Sequence, residues 1–223
     1  MCGRFTLRAP REIILAEYDL TECPLFPPRY NIAPTQTVPV VRLDEADKKR
    51  EVATVRWGLV PFWAKEPSIG NRMFNARADT LLTKPAFRAA VKHRRCLVPS
   101  DGFYEWQQGA QPKQPFHIHR ASGKPLTFAG LWEHWEGAGE IIESFTIITT
   151  EANEQVRWLH DRMPVILDRK DYDLWLDTSS KELKLIELLL KPYATEALVL
   201  SAVDTWVNNA RHEDPRCLQP VPT

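Results

Sequence analysis

Cys2 stands directly after Met1, and that placement makes it the most reactive candidate in the chain. A small second residue permits removal of Met1, which would leave a free α-amine beside a thiol. With a reference pKa of about 7.7 to 8.0, such an amine keeps an appreciable neutral fraction near pH 7 and can attack a carbonyl. The neighbouring thiol, with a reference value near 8.5, can then close onto the imine. With an aldehyde the product is a five-membered thiazolidine. Cys2 could instead act as an N-terminal nucleophile on an amide, with its own amine as base. Most chains that begin Met-Cys have an idle terminus, so the pair needs support from residues elsewhere.

Four further blocks carry candidate chemistry. In Phe74-Asn75-Ala76-Arg77-Ala78-Asp79-Thr80, Asn75 offers a donor and an acceptor to orient a reacting amine or carbonyl, and Arg77 offers a forked cation suited to phosphate. In Ser100-Asp101-Gly102-Phe103-Tyr104-Glu105-Trp106, a strand puts Phe103 and Glu105 on one face and Tyr104 and Trp106 on the other. Desolvation beside an aromatic would raise the Glu105 carboxyl toward the range useful for proton transfer. In Leu159-His160-Asp161-Arg162-Met163-Pro164-Val165, His160 is an acid/base candidate, with Asp161 free to pair with Arg162. Phe62 and Trp63, after Trp57-Gly58-Leu59-Val60-Pro61, could stack on bases or simply pack. His117 and His119 share a strand face, but no third ligand stands at a metal-site spacing, so no metal is expected.

The elements that must position these residues read as an α+β chain. Residues 3–8 form a first strand, and Pro10 starts a helix through Tyr18. The Pro-rich stretch 24–39 reads as a shaped loop, followed by a hairpin of 38–43 and 51–60. Residues 85–93 read as a short helix. Strands follow at 96–98, 103–107, 115–119, 126–132 and 144–149. Residues 153–160, capped by Asn153, with 167–176 and 181–190, read as helices before a strand at 197–203. This order predicts a single domain over residues 1–223, with a mixed or antiparallel, open barrel-like sheet core and peripheral helices.

Composition narrows the class. The 223 residues are 43% hydrophobic and 26% charged, enough apolar surface for a globular fold without disulfide staples. No apolar run approaches the roughly 18 residues of a membrane span, and Arg4, Arg8, Arg11 and Glu12 leave no signal-peptide core. A cytoplasmic location, nuclear in a eukaryote, is expected. The four cysteines are scattered without a CxxC pair. The 29 Lys+Arg and 29 Asp+Glu cancel, yet residues 1–120 hold 19 and 12, a net of +7, while residues 121–223 hold 10 and 17, a net of −7. Such asymmetry hints at a polyanion-facing surface, unless folding interleaves the halves.

Taken together, the blocks resemble the SOS response-associated peptidase family, abasic-site processing proteins that crosslink to damaged single-stranded DNA. The matching pieces are Met1-Cys2-Gly3-Arg4-Phe5, Arg29-Tyr30-Asn31-Ile32-Ala33-Pro34, Trp57-Gly58-Leu59-Val60-Pro61, Phe74-Asn75-Ala76-Arg77-Ala78-Asp79-Thr80, Asp101-Gly102-Phe103-Tyr104-Glu105-Trp106 and His160-Asp161-Arg162-Met163-Pro164. They occur in family order along nearly the whole chain. The resemblance implies that Met1 is removed, that Cys2 traps the ring-opened sugar aldehyde as a thiazolidine, and that Glu105 and His160 move the protons. It implies that Asn75 holds Cys2 and the sugar, that Arg4, Arg77 and Arg162 contact phosphates, and that Trp63, with Phe62 and Trp106, meets bases at the lesion. The expected partner is single-stranded DNA containing abasic sites, with no cofactor and no membrane, and the protein is expected to be a monomer. Rival readings are a peptidase acting in trans through Cys2 and a noncatalytic single-strand binding module.

Overall fold

The structure is a computed structural model that describes residues 2–44, 46–109, 112–137, 139–179 and 183–221. Met1 and Lys181, where the sequence places a processing event and a helix start, lie outside the described residues. Among the described residues, twelve strands fall into two sheets. Five strands make the first sheet: β1 (Phe5–Leu7), β2 (Arg29–Ile32), β7 (Gly102–Trp106), β8 (Pro115–Arg120) and β12 (Leu198–Ala202), in the order β12-β8-β7-β1-β2. The second runs β11-β10-β4-β3-β6-β9, from β3 (Thr37–Leu43), β4 (Arg50–Trp57), β6 (Arg95–Ser100), β9 (Leu126–Gly137), β10 (Glu140–Glu151) and β11 (Arg162–Pro164). A short β5 (Asn75–Arg77) also pairs with β10.

Because β10 bonds to both β9 and β4, five strands of the second sheet return on themselves. The closing contact is two residues long and parallel, Ser144 with Arg56 and Phe145 with Trp57. The expected barrel-like core is therefore a ring with two short seams, this one and the single β3–β6 pair of Val41 with Leu97. Its interior is packed with β-branched and aromatic side chains, including Val38, Val40, Val98, Phe128 and Ile147, all essentially inaccessible. Phe5 of β1 docks the first sheet on this ring, with its centroid 5.0 Å from Trp57 and 6.0 Å from Phe128 in edge-on contacts. Such geometry suits the ring quadrupoles and adds to the burial of large apolar surfaces. The strand after Cys2 is thus pinned between the two sheets.

Among the described residues, four short α-helices lie outside the strands: α1 (Arg11–Tyr18), α2 (Ala90–His93), α3 (Tyr172–Leu176) and α4 (Leu183–Glu187). Pro10 occupies the N-cap of α1, and Asp19 ends it in a left-handed conformation at φ 51°. Several local expectations change. The Pro-rich loop contains a strand at Arg29–Ile32, because β1 offers it an antiparallel edge. The expected strands at 126–132 and 144–149 are the inner parts of a hairpin with two twelve-residue arms, β9 and β10. Residues 153–160 form successive turns instead of a helix, although Asn153 Oδ1 does accept from Val156 N–H at 3.0 Å as a cap would.

Candidate active site

Cys2 enters the site through β1. Phe5 pairs with Phe103 and Thr6 with Gly102, and Tyr104 N–H donates to Arg4 O at 3.0 Å. Continuing that antiparallel register brings Gly3 beside Glu105. Cys2 is fully buried, and Asn75 Nδ2 donates to its carbonyl at 2.8 Å. Asn75 reaches it from β5, which runs parallel to β10 with Asn75 beside Ile147 and Arg77 beside Thr149. Among the described residues, Asn75 Oδ1 is buried without a hydrogen-bond partner. A bare acceptor in such a place costs roughly 1–3 kcal/mol until a donor arrives.

Glu105 is buried at 4% exposure on the inward face of β7, opposite Phe116 of β8. Burial pushes its carboxyl up to about 7, so it exchanges its proton near neutral pH. The Cys2 thiol is pushed well above its ordinary range, first by burial and second by the nearby Glu105 charge. Both groups are thus held in their neutral forms more strongly than in water, and the Glu105 charge disfavours ionisation of the thiol.

His160 sits where the turns after β10 lead into β11. Its Nδ1 lies 3.0 Å from Arg162 N and 2.8 Å from Asp161 Oδ1. One nitrogen cannot accept from the amide and donate to the carboxylate together. Burial lowers the affinity of His160 for a proton, so near neutral pH we assign the amide bond, which leaves the proton on Nε2. Protonation would turn Nδ1 into a donor to Asp161.

The three arginines singled out by the sequence each have protein partners. Arg4 Nη1 donates to Asn31 Oδ1 at 2.8 Å and to Val207 O at 3.0 Å, and its guanidinium lies 5.7 Å from the Trp106 ring. Arg77 is exposed and forms a forked pair with Asp79, Nε to Oδ1 at 3.1 Å and Nη2 to Oδ2 at 2.6 Å. Arg162 is buried, giving Nε to Thr149 Oγ1 at 3.2 Å and Nη2 to Thr149 O. Phe62 and Trp63 stand out at 56% and 48% exposure on a loop tied down by Trp135 Nε1 to Ala64 O at 2.7 Å and Val60 N–H to Ser144 Oγ at 2.8 Å. Trp106 is half-buried, with its Nε1 on Asn208 Oδ1 at 2.6 Å.

An open groove of about 960 Å³ brings together Arg4, Glu105, Trp106 and His160, with Lys113 and Asn208, whereas Cys2, Asn75, Arg77, Arg162, Phe62 and Trp63 are not among its lining residues. Asn31 is the residue whose importance the sequence did not reveal. Fully buried, it accepts from Arg4 and gives Nδ2 to the carbonyls of Val207, Asn209 and His212 at 3.2, 3.0 and 2.9 Å. The one available signal was a polar residue inside the Arg29-Tyr30-Asn31-Ile32 run. His117 and His119 do stack, at 5.3 Å, but His117 is buried, pushed down to about 3 chiefly by that burial, and contacts Thr6 Oγ1. No metal-ligating cluster of three or more His, Cys, Asp or Glu occurs among the described residues.

The family model described as SOS response associated peptidase (SRAP) matches residues 1–210. The abasic site processing protein YoqW of Bacillus subtilis (strain 168) is 36% identical over 224 residues, covering 98% of this chain and 99% of its own length. The abasic site processing protein HMCES of Gallus gallus is 35% identical over 225 residues, which are 87% of this chain and 66% of that protein. A crystal structure of a protein from Bacteroides thetaiotaomicron matches with a TM-score of 0.88 at 28% identity, covering 99% of this chain and 100% of that one. Six motifs in one order, a match over most of the chain and the shared architecture lead to one conclusion: this chain belongs to the SOS response associated peptidase family.

Proposed function

We propose that this protein captures abasic sites in single-stranded DNA as a covalent thiazolidine on Cys2, shielding the lesion. The observation that carries the reading is the grip of Asn75 on the Cys2 carbonyl beside the buried Glu105 carboxyl. The names of the relatives, abasic site processing proteins, support the substrate. While Met1 is attached, the nitrogen of Cys2 is an amide and cannot attack, so removal of Met1, by the protein itself or by an aminopeptidase, comes first.

In the reaction, Glu105 and His160 move protons as the sugar ring opens to its aldehyde. The Cys2 amine adds to the carbonyl, and loss of one water gives the imine. The thiol then adds across the C=N bond, transferring its proton through Glu105 to the nitrogen and closing the ring. The high proton affinity of the thiol orders these steps: the amine acts first and the thiol closes. Asn75 Oδ1 is placed to accept from the new amine or a sugar hydroxyl. Imine formation also permits β-elimination and strand cleavage as a side reaction.

Arg77 can exchange Asp79 for a phosphate, Arg4 and Arg162 would add positive charge along the strand, and Phe62, Trp63 and Trp106 would meet bases. A peptidase acting in trans has no need of the Arg4 cation in the groove that Glu105 and His160 line, which favours the DNA reading. Incubating the Met1-processed protein with single-stranded DNA bearing one abasic site should give a denaturant-stable adduct whose mass is the sum of both partners less one water. Cys2→Ala should abolish it. Unchanged protein mass would sink the covalent reading, and cleavage of added peptides would favour the peptidase.

A further inference from the structure

We infer that Trp158 is a stacking platform for a nucleobase flanking the lesion, an inference that rests on the reading above. Residues 152–161 form a compact loop closed by Ala152 N–H to Asp161 O at 2.9 Å and braced inside by Val156 N–H to Asn153 Oδ1 at 3.0 Å and Leu159 N–H to Val156 O at 2.9 Å. Val156 and Leu159 are buried and anchor the loop in the core. That anchoring leaves Trp158 half in solvent, at 51% exposure, two residues before His160.

The ring is not adrift on the surface. It meets Phe116 edge-on, with centroids 5.0 Å apart and planes at 82°. Phe116 is the register partner of Glu105 across β7 and β8, so the two side chains lie next to each other on one sheet face. Trp158 therefore stands one side chain away from the proton-transferring carboxyl and two residues before the imidazole of His160. An exposed Trp held by its neighbour at the edge of a reactive site presents a rigid π-surface, which is what an unpaired base stacks on. Phe62 and Trp63 stand on the loop after β4, whereas Trp158 stands on the loop between β10 and β11 and leans on β8, so the aromatic surfaces lie on two separate elements. The groove that His160 lines also holds the cations Arg4 and Lys113, so a base linked to phosphates suits the ring and the groove together better than a protein chain would.

The test separates stacking from chemistry by using a tetrahydrofuran lesion, which has no aldehyde and cannot crosslink. Two single-stranded oligonucleotides are compared by fluorescence anisotropy at about 0.15 M salt, one with purines on both sides of the lesion and one with further tetrahydrofuran residues there. Wild-type protein should bind the purine-flanked strand about tenfold more tightly. Trp158→Ala should reduce that preference several-fold by weakening only the purine-flanked strand, the remainder resting on Phe62, Trp63 and Trp106, and Trp158→Phe should restore a large part of the loss. Equal weakening of both strands would mean that Trp158 merely braces the His160 loop, and no change in either would also overturn the inference. Adduct formation on aldehyde-bearing DNA is scored separately, so failure of the crosslink and failure of the platform are read from different measurements.

Discussion

Because burial raises the Glu105 carboxyl from 4.5 to about 7, the folded protein keeps a proton that the unfolded chain has already released between those values. Stability must then fall as pH rises through that window, and level off above it. Replacing Glu105 by Gln removes the titration. Relative to wild type, Glu105→Gln should gain up to about 3 kcal/mol on going from pH 4 to pH 8, checked by denaturant unfolding at both ends. The same substitution should slow adduct formation by roughly 10²- to 10⁴-fold, the usual worth of a positioned acid or base. A stabilised, slow variant is the signature of a carboxyl kept in place for chemistry. Asn75→Ala should cost roughly tenfold or more in the capture rate, read by gel quantification of adduct against time, because the hydrogen bond to the Cys2 carbonyl is worth about 1–2 kcal/mol. At this scale the sequence was informative: Cys2, Asn75, Glu105 and His160 stand out by residue type and local motif. Asn31 did not, since its role depends on carbonyls nearly 180 positions away.

Among the elements, the long ones were legible and the short ones were not. Period-two alternation and β-branched runs marked β3, β4 and the inner parts of β9 and β10. Three residues give no period, so β5 and β11 carried no signal, although they hold Asn75 and Arg162 on either side of β10. Both exist because β10 supplies an edge, a fact of tertiary structure. Glycine shows where elements press together. Gly58, at φ 128°, lies so near Gly70 that an added Cβ would fall 2.5 Å from its carbonyl oxygen. Gly58→Ala should therefore destabilise the fold by about 1–3 kcal/mol and displace the Phe62 and Trp63 loop. The midpoint of urea unfolding and the affinity for a tetrahydrofuran-containing strand should fall together.

For the molecule as a whole, the +7 and −7 halves are stitched to one another. Arg29 pairs with Glu213, Arg42 with Glu143, Arg50 with Asp173, Arg94 with Glu133 and Arg120 with Asp168, each joining a first-half cation to a second-half anion. Most of the asymmetry read from the sequence is thus spent inside the fold, and DNA attraction falls to a few local cations. If Arg4, Arg77 and Arg162 each meet one phosphate, log affinity for single-stranded DNA should fall with log salt at a slope of about −2. Arg77→Ala should flatten that slope by about 0.7, and Asp79→Asn, by freeing Arg77, should raise affinity; titrations between 50 and 300 mM salt would check both.

The clasp of Arg4 by Asn31 and Val207 also sets an order in time. Val207 is synthesised 203 residues after Arg4, and β1 lies between β2 and β7, so no early segment of the chain can complete the surroundings of Cys2. Contacts of such sequence separation form slowly and late. On the function proposed above, a nascent chain on the ribosome therefore carries Cys2 without its surrounding pocket, and the site is completed only when the segment holding Val207 has emerged and folded back.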